Sequence, residues 1–127
     1  MAEYVALSVV APHGTSIAVG RKRIEVRSWK PPALPVKDLL VVENKTYLTE
    51  EGQVDPSGRA VAIVDVRIVG PWLPSQVEAA CSSGWEPGYF AWHLENVRAL
   101  NSSRLVPAKR KLYTVELPHL ESFRAEP

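Results

Sequence analysis

The sequence predicts an α+β fold dominated by strands: a small mixed β-barrel of about six strands with short flanking helices. Three observations point there. Apolar runs rich in Val and Ile are short and recur along the whole chain. Eleven prolines and seven glycines punctuate them, which is turn chemistry. The runs do not alternate with long helical segments, so no βαβ rhythm of a parallel sheet is present.

The elements follow in order. YVALSVV (4–10) is apolar and β-branched and predicts a buried first strand. In APHGTSIAVG, Pro12 suits the first turn of a short helix and Gly20 its left-handed C-terminal position. RIEVRSW (23–29) alternates Ile24 and Val26 with Arg23, Glu25 and Arg27, a strand that Pro31 and Pro32 end. DLLVVEN (38–44) predicts a second buried strand, and EEGQVDPSG (50–58) an exposed loop. GRAVAIVDVRIVG (58–70) is the longest candidate: its even positions, Ala60 to Ile68, are all apolar, while its odd positions turn polar at Asp65 and Arg67. One face is therefore expected in the core throughout, the other only part of the way. PSQVEAACSS (74–83) predicts a second short helix. GYFAWHLENVRAL (88–100) places Phe90, Trp92 and Leu94 on one face and Tyr89, His93 and Glu95 on the other, with Trp92 in the core. KLYTVEL (111–117) closes the set, and the segment 118–127 reads as a polar tail loosely packed at its end.

The 127 residues fit one domain, 1–127, large enough to bury a core. A net charge of +1 offers no global field for nucleic acid or membrane, so such a partner has to meet a local patch. No apolar run approaches the ~18–20 residues of a membrane span, and the first ten residues carry no signal-peptide pattern. Cys81 is the single cysteine, which excludes an internal disulfide and fits a reducing compartment. These features predict a soluble, cytoplasmic protein and leave its oligomeric state open. His13, His93 and His119 lack metal-type spacing, and Cys81 has no CxxC partner, so no structural metal is expected. A weakly held Mg²⁺ or Mn²⁺ between Glu25 and Asp65 is the one ion the residues suggest. Neither a P-loop nor a GxGxxG is present.

Several segments in order carry a family resemblance: ALSVVAPHG, GRKRIEVRSW, GRAVAIVDV, GYFAWHLENVRAL and KLYTVEL. They contain a Gly-x-Lys turn at Gly20–Lys22, a Glu-x-Arg-Ser-Trp strand at 25–29, and Trp-x-Leu-Glu-Asn-Val-Arg at 92–98. Over roughly residues 4–117 the chain resembles an ASCH domain of the PUA-like superfamily. The resemblance implies a small β-barrel with a cleft near the Gly-x-Lys turn, and RNA or a nucleoside as ligand. Some relatives are RNA-binding modules; others are small amidohydrolases that deacetylate acetylcytidine; a ribonuclease activity belongs to the family as well.

Lys22, two residues past Gly20, is either a solvated lysine or a point charge for a phosphate or carbonyl oxygen, and a base where it is desolvated. Glu25 stands where the acetylcytidine hydrolases typically carry a nucleophilic threonine; a carboxylate there is either a general base on water or an ion-pair partner of Lys22 or Arg27. Asp65 is the lone acid of its strand run and falls where those hydrolases have a glutamate. It is read either as facing a polar cleft near Lys22 or as paired with a neighbour such as Arg67. Lys22, Glu25 and Asp65 form the catalytic candidate set. Arg27, Ser28, Trp29, Tyr89 and His93 form the substrate-binding set: Arg27 can hold a phosphate bidentately, and Trp29 can stack a base or pack the barrel end. Arg21, Arg23, Lys30, Lys109 and Lys111, with Arg110 beside them, can make a basic rim for RNA phosphates or two unrelated solvated runs. The leading expectation is an RNA- or nucleoside-binding protein that hydrolyses single-stranded RNA or an acetylated cytidine. The alternatives are a non-catalytic regulatory module that reads RNA or a modified base and, further off, a small-molecule sensor.

Overall fold

A computed structural model describes residues 1–118 and 122–123. Among these residues nine strands and one α-helix follow in chain order: β1 (Ala2–Val10), α1 (His13–Ala18), β2 (Ile24–Arg27), β3 (Val36–Asn44), β4 (Val54–Asp55), β5 (Arg59–Pro71), β6 (Phe90–Leu105), β7 (Ala108–Lys109), β8 (Leu112–Leu117) and β9 (Ser122–Phe123). The main sheet runs β2-β6-β5-β3-β1-β8, with β9 added on β6, while β4 and β7 form a separate two-stranded ribbon. The β1–β3 pair is parallel and the other ladders are antiparallel. Of the expected polar tail at 118–127, all but Pro118 and β9 lies outside the described residues, His119 included.

The expected strands all form, but the sheet does not close into a barrel. Among the described residues no ladder joins its end strands β2 and β8. β2 is only four residues long, and Pro31 and Pro32 soon follow, so it cannot extend a second ladder. A side chain spans part of the gap instead, as the Arg27 guanidinium donates to the Ser8 carbonyl at 2.7 Å.

Both faces of the central strands are buried, as uninterrupted apolar runs require. Leu7, Val9, Leu39 and Val41 pack on one side with Val64, Val66, Trp92 and Ile17 of α1. Ala6, Leu40 and Val42 pack on the other with Ala60, Ile63, Val106 and Ala108. Trp92 is fully buried; its indole N–H donates to the Trp29 carbonyl, and the two rings meet edge to face with centroids 5.0 Å apart. The α1 backbone comes close to β3 at Gly14, where an added Cβ would lie 2.7 Å from Glu43 Cβ.

Two expectations change. Ile68, placed by alternation on the buried face of β5, is half exposed, and Val69 packs on the core instead. The β5–β6 register shifts between Val66 and Val69, and a one-residue slip exchanges the faces of a strand. The helix expected over 74–83 reduces to a 3-10 turn, Pro74–Gln76, followed by further turns. The chain leaves helical geometry at Cys81, where φ is +53°, and the carbonyls of Ala79 and Ala80 turn to tertiary partners. Ala79 accepts the amides of Arg23 and Ile24, and Ala80 accepts the Lys22 ammonium.

Candidate functional site

Local sequence sets up the first part of the site. α1 ends ahead of Gly20, whose φ of +82° lets the chain double back. The amides of Arg21 and Lys22 then both donate to the Ser16 carbonyl, which directs the Lys22 side chain inward. In β2, Glu25 and Arg27 are two residues apart and so share a strand face. Lys22 Nζ lies 3.3 Å from Glu25 Oε1 and 2.6 Å from the Ala80 carbonyl, and Arg27 Nε donates to Glu25 Oε2 at 2.7 Å. Lys22 is 3% exposed and Glu25 7%, so these charges are withdrawn from water and compensate one another.

The cluster forms part of the wall of an open cleft of about 850 Å³. The cleft lies at the carboxyl ends of the parallel strands β1 and β3, lined by Ser8–Val10 and by Asn44 with Thr46–Leu48. β2 and its exit supply Val26 through Trp29, the turn after Gln76 supplies Ala80–Ser83, and the turn before β8 supplies Lys109–Lys111. Tyr89 completes the rim. His13 also lines the wall, with its Nδ1 buried and unpartnered. Burial, then the charge of Lys22, holds its pKa below the ordinary imidazole value, with Arg27 adding to this and Glu25 and Glu43 opposing it.

The cleft brings together Lys22, Glu25, Arg27, Ser28, Trp29, Tyr89, Lys109 and Lys111 of the sequence candidates, with Arg110. It does not bring in Asp65, a correction to the catalytic set. Asp65 accepts the Asp38 amide, the Asn96 amide group and the Arg98 guanidinium, at 2.9, 3.0 and 2.7 Å. Asp38 begins the stretch of β3 whose far end, Asn44, reaches the cleft; six residues of strand at ~3.3 Å each separate them by roughly 20 Å. Burial raises the Asp65 pKa, but these hydrogen bonds and the Arg98 charge outweigh it and hold the carboxyl below its ordinary value. The partner is Arg98 rather than Arg67, which pairs with Glu95. A cation bridging Glu25 and Asp65 has no geometric basis, and among the described residues no cluster of three or more His, Cys, Asp or Glu side chains could hold a metal.

His93, Arg21, Arg23 and Lys30 do not line the cleft either. His93 pairs with Ile24 in the β2–β6 ladder and shares the strand face of Ala91, which packs against Ile24, Trp72 and Ala80. Arg21 and Arg23 are exposed, and the Lys30 ammonium sits 5.3 Å from the centre of the Phe90 ring. Conversely, Ser8, His13 and Asn44 reach the site without having been singled out. Their signal in the sequence was slight: each is a polar residue in or just after an apolar strand run.

A protein-family model for the ASCH domain matches residues 7–104. The chain belongs to the ASCH domain family. The match runs from Leu7, within β1, to Arg104, near the end of β6, and so covers Lys22, Glu25 and Arg27 and leaves the Lys109–Lys111 turn outside it. The ASCH domain is a PUA-like fold associated with RNA binding. No curated protein matches this ASCH sequence. Among the described residues no helix is long and apolar enough to cross a membrane.

Proposed function

We propose that the cleft binds single-stranded RNA or a modified nucleoside, and that Lys22 and Glu25 hydrolyse what it holds. The supporting observation is the distribution of charge. Lys22, Arg27, Lys109, Arg110 and Lys111 line the cleft against a single carboxylate, Glu25. Five cations less one anion leave a local charge of four, on a chain whose total is +1. The remainder, ten cations and thirteen carboxylates, is net negative, so an anionic polymer is drawn to this face.

In this reading the Lys109–Lys111 turn and Arg27 take phosphates, while Trp29 and Tyr89 offer ring faces to a base. Lys22, fixed by the Ala80 carbonyl, directs a remaining N–H at a substrate oxygen that gains negative charge. Glu25 accepts a proton from water. On an acetylated cytidine, the water oxygen bonds to the acetyl carbon, the carbon–nitrogen bond breaks, and the proton passes from Glu25 to the leaving amine. Glu25 in place of the hydrolases' threonine makes water, not a side chain, the nucleophile. One observation favours the alternative of a non-catalytic reader of RNA or a modified base: both Glu25 oxygens are already engaged, by Lys22 and by Arg27.

Two measurements test this. Anisotropy of a fluorescein-labelled single-stranded RNA, titrated across salt, should show affinity falling steeply as salt rises. Replacing Lys109, Arg110 and Lys111 together by Ala should lower the log–log salt slope by about 2, at ~0.7 per phosphate contact. A slope near zero in the wild type overturns the phosphate-binding reading. Mass spectrometry of acetylated cytidine and of short RNA, each incubated with and without Mg²⁺ or Mn²⁺, should show a product that Lys22→Ala fails to make. Tight binding with every substrate left intact gives the non-catalytic reader first place.

A further inference from the structure

The turn that carries Lys109, Arg110 and Lys111 is exposed, and its backbone has one short ribbon partner, β4. A second attachment comes from side chains. Tyr113 Oη donates to the Pro107 carbonyl at 3.0 Å, and the Lys109 amide donates to Ser8 Oγ at 3.2 Å. Ser8 Oγ and Tyr113 Oη lie 2.8 Å apart. With the phenol proton committed to Pro107, Ser8 must be the donor in that contact. The protons therefore run one way, from the Lys109 amide to Ser8, from Ser8 to Tyr113, and from Tyr113 to Pro107. The chain starts and ends on the same turn and is anchored in β1. Ser8 also accepts Arg27 through its carbonyl, so one residue holds both cationic edges of the cleft.

We propose that Tyr113 is a positioning residue: through Ser8 it holds the Lys109–Lys111 turn over the cleft so that its cations meet successive phosphates of a bound RNA strand. The proposal rests on the RNA-binding reading above. Tyr113 touches no ligand itself and is not among the residues that line the cleft. Its phenol is pushed up in pKa by burial, against hydrogen bonding from Ser8 and Lys109, which keeps the proton that reaches Pro107 in place across the neutral range. The turn also lies beyond the residues matched by the family model.

The test compares the wild type, Tyr113→Phe and the triple alanine variant of the turn. Phe keeps the ring and removes the hydroxyl. Two readouts are taken: the salt slope of binding to labelled single-stranded RNA, and hydrogen exchange of the amides at 108–111. Tyr113→Phe should exchange the Lys109 amide at least several-fold faster and lower the salt slope, while circular dichroism stays that of the wild type. Placed in the triple alanine background it should leave the slope unchanged, because no cations remain to be positioned. Wild-type slope and exchange in Tyr113→Phe overturn the positioning role while RNA binding stands. Faster exchange with an unchanged slope makes Tyr113 a purely structural residue and also overturns it. Wild-type protein that binds no RNA at any salt overturns the cleft reading itself. Should Tyr113→Phe unfold, Ser8→Ala, which breaks the same chain from the other side, carries the comparison.

Discussion

Two clusters of charge occupy opposite ends of β3, and they use similar ingredients differently. In one, a single carboxylate, Glu25, is held between buried Lys22 and partly exposed Arg27, and the set opens on a cleft. In the other, a single guanidinium, Arg98, is held between Asp38 and Asp65 at 2.6 and 2.7 Å, with Asn96 and the Asp38 amide completing the set. There the Asp38 side chain is 65% exposed, and none of the four lines the cleft. The second cluster fastens the start of β3 to β5 and β6 at a point where Asp38 and Asn96 both adopt positive φ, at 55° and 49°. Non-glycine residues reach that region at a cost, and the network offsets it. The two ion clusters thus separate by surroundings, not by composition. One faces space that a ligand can enter, and the other closes on its own backbone.

Three substitutions can break or sharpen this contrast. The largest effect belongs to Glu25→Gln, which leaves Lys22 buried, and Arg27 partly buried, without their shared counter-charge. Loss of one partner from a buried pair costs about 3–5 kcal/mol, measurable by urea denaturation. A loss under ~1 kcal/mol would show that water from the cleft already solvates the pair, and the contrast in burial would fail. Asp65→Asn comes next, at about 1–2 kcal/mol, because the network it breaks is partly exposed. It should leave RNA affinity at the cleft unchanged; a weakened affinity would place Asp65 back in the site. Its pH dependence has a definite sign. The folded-state pKa lies below the usual 3.8, so the stabilisation is present above that value and is lost as pH falls through the folded-state pKa. The wild type and Asp65→Asn should therefore converge in stability at the acid end. The smallest effect is that of Arg67→Ala. Its pair with Glu95 spans 3.3 Å, and the Arg67 side chain is 69% exposed, so the cost should stay within ~0.5 kcal/mol in the same assay. A larger loss would mean that the Asp65–Arg98 network extends further along β6.

The contrast also shows how much of the site could be read from the chain. Glu25 and Arg27 were legible because strand alternation puts residues two apart on one face. Lys22 was legible because Gly20 marks a turn. The fate of Asp65 was not legible: the same alternation gives its face, but not which end of the sheet it occupies, and that follows from antiparallel pairing with β3 across a long connection. Ile68 failed for a related reason. A register slip shifts the phase of alternation, and nothing in an apolar run announces it.

By itself the sequence determined the local terms: which segments are strands, where α1 stops, that Trp92 is core, and that Glu25 and Arg27 share one face of β2. These depend on backbone preference and a side-chain period of two, both properties of neighbours in the chain. The tertiary structure alone decided that the sheet stays open, that the Ala80 carbonyl fixes Lys22, and that Lys109–Lys111 rather than Arg21, Arg23 and Lys30 rim the cleft. Those outcomes depend on contacts between residues tens of positions apart. Lys22 and Ala80 are 58 positions apart and Ser8 and Lys109 are 101, and separations of that kind leave no local pattern to read.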